Sequence, residues 1–401
     1  MEYLLIMADF YKPFIMKLEN SDNNFKDTIS FSNNKNISLI SSSYHYFYRR
    51  TLESLSITNN FDKANELYYV VNPFEINILN YEDSLTKLTK TYLNIDVLDR
   101  EFYIIWELLF LFELIDTSEE LSCTILSSTF NIIIQALESY RKKYNIHSTK
   151  DKYFTISDKE LENKILSKFE KTYSNLIIAN LGYDDEPNIY HIILNEIITT
   201  LKIQDINGHF VLKIFGTVTH QTLKLLFIMS SFYSETYIYK PYYSRLSLSE
   251  KYVIFKHFKY DQKKDSSFLN EKIKLLENII NAYFNLPNKK YIFDIFTELK
   301  LPNEYIKNFI FINMKLMNSQ QIIINDIIKY IKEDNNFGDK YHSYRNIQID
   351  TTKWWVNSFF PPSNNLYKKN KEDLIKQLNI YKDSYMNECI KFISTIKTIK
   401  N

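Results

Sequence analysis

The sequence predicts an α/β fold: a doubly wound sheet, with an irregular stretch before it and a helical region after it. Three observations predict it. Between residues 99 and 262, short β-branched and apolar runs alternate with helical segments of about 10 to 15 residues, the pattern of βαβ units. Beyond 262 the remaining periodic segments read as helices. The composition is that of a folded chain, 45% hydrophobic and 24% charged over 401 residues, enough for a sizeable core. The expected division is 1–98, a mixed and irregular N-terminal extension; 99–262, the α/β domain; and 263–401, a C-terminal helical region.

In the extension, the Asn-rich segments Asn20 to Asn36 and Asn59 to Asn60 read as surface loops. Leu67 to Val71, before Asn72-Pro73, reads either as a short strand or as the end of an apolar helix. In the α/β domain, Glu101 to Leu114 is apolar on most of its surface and reads as a buried helix. Leu121 to Leu126 reads as a strand. Ser127-Ser128-Thr129 then offers an N-cap for a helix from Phe130 to Tyr144, closed by Arg141-Lys142-Lys143. A strand at Tyr153 to Ile156, a helix at Leu161 to Phe169 and a buried strand at Asn175 to Asn180 follow. Ile189 to Ile203 is a helix, ended by the turn Asp205-Ile206-Asn207-Gly208. His209 to Phe215 is a strand, Gln221 to Tyr233 a helix, and Glu235 to Tyr239 and Tyr252 to His257 are strands. In the last region, helices are expected at Ser267 to Phe284, Tyr291 to Glu298, Asn303 to Lys315, Ser319 to Glu333 and Lys371 to Ile399. Asn335 to Asn365 reads as a long loop, with Trp354 and Trp355 as anchors or as surfaces that stack on bases.

Several function classes are disfavoured. The 49 basic and 48 acidic residues leave a net charge of +1, so no global basic field marks the chain for nucleic acid. Two cysteines form no framework, which suits a reducing compartment. The N-terminus lacks a basic segment and meets Asp9 early, unlike a secretory signal. Phe102 to Ile115 is interrupted by Glu107 and Glu113 and is too short to span a bilayer. A cytoplasmic protein without membrane contact is expected. The seven histidines and two cysteines show no zinc spacing, so no metal is expected. Only four glycines occur, where average usage would give roughly 28. No Walker loop is possible, and few loops can bring backbone close to a cofactor.

Four blocks carry a resemblance. A turn Gly208 precedes a strand ending Val211-Leu212-Lys213. A Leu-rich helix leads to a second strand. The pair Lys240-Pro241 follows, and then Ser244-Arg245, Ser249-Glu250 and Tyr252. In this order they resemble the FtsJ-like ribose 2′-O-methyltransferases, in particular the cap-specific branch and its homologues in large nucleocytoplasmic DNA viruses. The resemblance is densest over residues 208 to 258 and extends more weakly from about 100 to 262. It implies a Rossmann-like methyltransferase domain, S-adenosylmethionine as cofactor, capped mRNA as substrate, and the host cytoplasm or a viral factory as its place.

The family uses a Lys-Asp-Lys-Glu tetrad, in which a lysine within hydrogen-bond reach of the hydroxyl polarises or deprotonates it. On alignment the second Lys is Lys213 and the Glu is Glu250, whereas Asn180 stands at the Asp place and Ile104 at the first Lys place. The cofactor segment, glycine-rich in the family, aligns with Cys123 to Phe130 and brings Cys123, Ser127 and Ser128 to the cofactor, with Ile125 and Leu126 crowding it. Asp158 reads either as a ribose-binding carboxylate or as a solvated loop residue. Lys240, Ser244 and Arg245 read either as contacts to RNA phosphate or as pins of their own loop. With two tetrad places and the glycines gone, the expectation is a degenerate member that binds no cofactor and supports a capping-enzyme or methyltransferase partner. The alternatives are an active cap 2′-O-methyltransferase and an RNA-binding virion protein.

Overall fold

Runs of buried β-branched and aromatic residues build the centre of the chain. The computed structural model describes residues 14–18, 25–33, 38–54, 70–76, 84–97, 99–115, 120–144, 150–157, 173–180, 189–286, 291–333 and 338–360, with a few isolated positions beyond. Its central sheet comprises β1 (Phe14–Leu18), β3 (Ser122–Leu126), β4 (Lys152–Ile156), β5 (Ser174–Ala179), β6 (Gln204–Ile214), β7 (Tyr233–Lys240) and β8 (Lys251–Phe258). They lie in the order β1-β7-β8-β6-β5-β3-β4. β4, β3, β5 and β6 are mutually parallel. β8 runs antiparallel between β6 and β7, and β1 lies antiparallel along β7. The sheet is therefore mostly parallel and consistent with a Rossmann-like fold.

Helices cover both faces, which is why the central strands are apolar on both sides. On one face lie α3 (Glu101–Phe112), α4 (Phe130–Lys143) and α9 (Asp339–Phe359), packed with Cys123, Ile125, Leu176, Ile178, Val211 and Ile254. On the other lie α5 (Tyr190–Ile203), α6 (His220–Ser231) and α7 (Ser266–Phe284), packed with Leu126, Ile177, Ala179, Leu212 and Val253. The alternation of neighbours between the two cores is the two-residue period of a strand. α1 (Ser42–Ser54), α2 (Leu85–Leu93) and α8 (Asn303–Glu333) complete the described helices.

The predicted strands and helices of the α/β domain that fall on described residues recur within a residue or two of their expected ends, except at β6. There the strand begins at Gln204, and the predicted turn is an excursion inside it. The register passes from Ser174↔Gln204 to Leu176↔His209, and Asn207 takes a positive φ of 61°. Gly208 is required here, because a Cβ would lie 2.2 Å from Gln204 Nε2 and 2.9 Å from the Asn175 carbonyl.

The flanks differ from expectation. Tyr291 to Glu298 does not begin a helix: Tyr291–Ile295 is a strand, β9, paired antiparallel with β2 (Ile29–Ser32). Its Tyr-Ile-Phe-Asp-Ile sequence has strand propensity, and a partner strand is at hand. Strands therefore do not stop at 262. The expected loop 335–365 contains α9, because Trp355, Val356, Phe359 and Phe360 have a core to enter and are at most 4% exposed. The two helices expected between 303 and 333 are one, α8. The N-terminal extension is joined to the domain through β1, and Ile40 N–H and His220 N–H bond across the segments 38–40 and 218–220. The expected helices at 161–169 and 371–399, and residues 67–69, lie outside the described residues. Among those described, no helix is long and apolar enough to cross a membrane.

Candidate functional site

In open parallel sheets, ligands bind beyond the carboxyl ends of the strands. Here β3, β5, β6 and β7 end at Leu126, Ala179, Ile214 and Lys240, and antiparallel β8 begins at Lys251 on the same edge. Among the described residues the edge gathers the buried charges of Glu101, Lys240, Glu250 and Lys251.

Lys213 and Glu250, paired by the sequence resemblance, meet there. Lys213 Nζ lies 3.3 Å from Glu250 Oε2 and 3.3 Å from Glu101 Oε2. Glu250 Oε1 faces the Arg100 guanidinium at 2.9 Å. Tyr252 donates its hydroxyl to Glu101 Oε1 at 2.8 Å. The result is a chain, Arg100–Glu250–Lys213–Glu101–Tyr252, in which each carboxylate uses both oxygens and two cations meet two anions. β6 and β8 place Lys213 opposite Tyr252 in register, and the head of α3 delivers Arg100 and Glu101. Burial opposes the charge on Glu250, but Arg100 and Lys213 outweigh it and hold the carboxyl below its ordinary range. Burial likewise opposes the Lys213 ammonium, and Glu101 and Glu250 outweigh it and raise the amine above the ordinary lysine range.

The residue that the resemblance sets at the first Lys place brings no charge to this edge. Ile104 is fully buried in the core, one turn into α3. Besides Lys213, the cation that reaches Glu250 is Arg100, just before the helix. Arg100-Glu101, a charged pair at the head of an otherwise almost wholly apolar helix, is a signal visible in the sequence that the family motif does not include.

Lys240 and Ser244 are not placed to meet RNA. They are 6% and 0% exposed. Lys240 Nζ donates to Ser244 Oγ at 2.6 Å and to the carbonyls of Arg245, Leu248 and Glu250 at 3.2, 2.9 and 2.9 Å. Burial pushes its amine below the ordinary lysine range, with Glu250 as the strongest opposing charge. A lysine surrounded by loop carbonyls folds the 241–250 segment and fixes the backbone of Glu250. Arg245 is half-buried and pairs with Glu75, Nε to Oε1 at 2.7 Å. Glu75 in turn accepts from Asn72 Nδ2 at 2.7 Å.

The cofactor loop also differs from expectation. Ile125 and Leu126 do not crowd it: both are strand residues whose side chains enter opposite cores. Cys123 is the second residue of β3, fully buried in mid-sheet and away from the carboxyl edge, with burial raising its thiol well above the ordinary range. The residues at the edge are Ser127, Ser128 and Thr129. Ser127 Oγ accepts from the Thr129 backbone N–H at 3.0 Å, and the Thr129 side chain makes no capping hydrogen bond at the N-terminus of α4. Asn180 stands over this loop. Its Nδ2 donates to Thr129 Oγ1 at 3.3 Å, and its Oδ1 is buried with no partner among the described residues. Ala179 pairs with Leu212, so Asn180 and Lys213 are the next residues on adjacent strands. Asp158 lies outside the described residues.

Glu107 ties the C-terminal helix to this edge. Fully buried, it accepts from Trp355 Nε1 at 2.9 Å, Tyr239 Oη at 3.1 Å, and the backbone N–H groups of Tyr242 and Tyr243 at 2.9 and 3.2 Å. Burial raises its carboxyl to about 7 against those four donors. Trp355 is thus an anchor, and Trp354 is half-buried against Phe74 and Tyr242. No group of three or more His, Cys, Asp or Glu among the described residues is placed to hold a metal.

Fold and site are those of an α/β protein with a mostly parallel sheet, consistent with a Rossmann-like fold, and a neutralised ion chain at its carboxyl edge. No protein-family model matches the chain. It is similar to an uncharacterized protein of Acanthamoeba polyphaga mimivirus, 24% identical over 266 residues that cover 66% of this chain and 67% of that protein. It is also similar to a cap-specific mRNA (nucleoside-2′-O-)-methyltransferase of Drosophila melanogaster, 24% identical over 167 residues, 41% of this chain and 23% of the fly protein. The chain thus matches about two thirds of the viral relative and under a quarter of the fly enzyme. A distant, methyltransferase-like homology follows.

Proposed function

We propose that the chain acts on mRNA as a cap-type ribose 2′-O-methyltransferase, with Lys213, Glu250 and Arg100 at the reacting hydroxyl. The observation that carries this reading is the ion chain at the carboxyl edge, beside Asn180 and the β3–α4 loop. S-Adenosylmethionine, when bound, would supply an electrophilic methyl group. The loop residues fit the amino-acid end of such a molecule. Asn180 Oδ1 is an unfilled acceptor for an ammonium, and the α4 N-terminus, where the Thr129 side chain makes no capping hydrogen bond, offers N–H donors to a carboxylate. Lys213 donates to the ribose oxygen and stabilises charge developing there. Glu250 and Glu101 fix its amine, and Lys240 holds Glu250 in place through the loop. The host cytoplasm or a viral factory, and a role in viral capping, belong to the same proposal.

A second reading has its own observation: the loop 127–129 carries no glycine and no acidic residue. It makes the chain a binding subunit that supports a capping-enzyme or methyltransferase partner without a cofactor of its own. Calorimetric titration of the purified protein with S-adenosylmethionine separates the two. Micromolar binding that is lost in Asn180→Leu supports the transferase. No heat up to millimolar ligand removes it and leaves the subunit.

A further inference from the structure

Lys213 has carboxylates on two sides and cations only one step further away. Glu101 and Tyr252 face it from α3 and β8, and Glu250 from the loop before β8. Arg100 stands behind Glu250, and Lys240 at the end of β7 adds a weaker positive neighbour. The Phe215 and Tyr252 rings lie 5.6 and 5.9 Å from the amine. An amine works as a base when like charges or dry surroundings strip its proton. At Lys213 burial and Arg100 pull that way, and the carboxylates of Glu101 and Glu250 outweigh them and keep the proton on the amine. Arg100 supplies Glu250 with a guanidinium, which stays charged throughout the working range of pH. Its Nη1 is a buried donor with no partner among the described residues.

We propose that this edge handles the ribose hydroxyl by fixed charge rather than by a base: Lys213 remains an ammonium, Arg100 is the second permanent cation, and both donate to the oxygen, whose proton is lost to water. This rests on the RNA reading above and deepens it. The substrate class is a ribose carrying its 2′-hydroxyl, and Arg100 is a specificity residue for that oxygen.

Two measurements test it, and neither needs a cofactor. In protein labelled with 13C and 15N at lysine, the Lys213 side-chain signal is assigned by its loss in Lys213→Arg and titrated from about pH 6 to about pH 10. The expected result is no titration below about pH 10 in the wild type, and a midpoint lower by at least one unit in Glu101→Gln/Glu250→Gln. A wild-type midpoint below about 9 overturns the proposal. Fluorescence anisotropy then compares a short RNA with its 2′-deoxy counterpart. Arg100→Met should weaken RNA binding at least about fivefold while leaving the deoxy strand unchanged, and Arg100→Lys should recover most of the loss. Equal binding of the two strands by the wild type, or an equal loss for both in Arg100→Met, overturns it. If Lys213 stays charged and RNA is preferred while S-adenosylmethionine is not bound, the transferase reading alone falls.

Discussion

Glu250 is the middle link of the ion chain, and its removal should cost more than removal of Lys213. Glu250→Ala deletes a carboxylate that is 1% exposed and strands Arg100 and Lys213 together. Breaking a buried pair by removing one partner costs ~3–5 kcal/mol. Lys213 keeps Glu101, and the Arg100 side chain is 19% exposed, so about 3 kcal/mol is expected. Lys213→Met leaves Glu250 with Arg100 and Glu101 with Tyr252, and the methionine replaces most of the aliphatic stem. About 1–2 kcal/mol is expected there. The double variant should lose less than the sum, by ~1 kcal/mol. Urea unfolding followed by tryptophan fluorescence measures all three, since Trp106 and Trp355 are fully buried. The dependence on pH has a definite sign. The Glu250 carboxyl lies below its reference of 4.5 in the folded chain, so its stabilisation is present above that pH and is lost as pH falls through the folded value. The gap between wild type and Glu250→Ala should therefore narrow in acid. A Lys213→Met cost equal to or above that of Glu250→Ala, or a gap unchanged between neutral pH and about pH 3, would refute the reasoning.

Other outcomes follow from the same contacts. Lys240→Met leaves three loop carbonyls and a hydroxyl without their donor; it should lower stability by ~2–4 kcal/mol in urea unfolding, and the salt dependence of RNA binding should not change. Gly208→Ala must displace the Gln204 side chain, which donates to the Ser174 carbonyl and accepts from Tyr233. A loss of ~2–3 kcal/mol is expected, with S-adenosylmethionine titration unchanged, because the turn lies at the end of the sheet away from the site. Truncation after residue 337 removes Trp355, Val356, Phe359 and Phe360 from the core. At ~1.5–3 kcal/mol per buried side chain the loss is about 6–12 kcal/mol, as large as ordinary domain stability, so circular dichroism should show no cooperative unfolding.

Much of the fold was legible because its signals are local. Val-Leu-Lys-Ile and Leu-Ile-Ile-Ala announce buried strands, and Lys213 with Glu250 was found through motif blocks that flank both. The flanks were less legible because their structure depends on distant partners. β9 is a strand by virtue of β2, about 260 residues away in sequence, and α9 is a helix whose Trp355, Val356 and Phe359 share a core with α3. The site was half legible. Arg100 sits where no strict motif would place it, and Ile125 and Leu126 changed meaning once the strand was seen to run through them. Lys240 and Ser244 look like phosphate ligands in sequence, and only packing shows that loop carbonyls already take up their donors.

The central claim is that the ion chain is a methyl-transfer site for ribose. Incubation of the full chain with methyl-labelled S-adenosylmethionine and capped RNA, followed by nuclease digestion and separation of nucleosides, tests it most directly. Label is expected in a 2′-O-methyl nucleoside near the cap, lost in Lys213→Met and absent when that ribose is 2′-deoxy. No transfer by the wild type at saturating donor and RNA, or transfer undiminished in Lys213→Met, would contradict it.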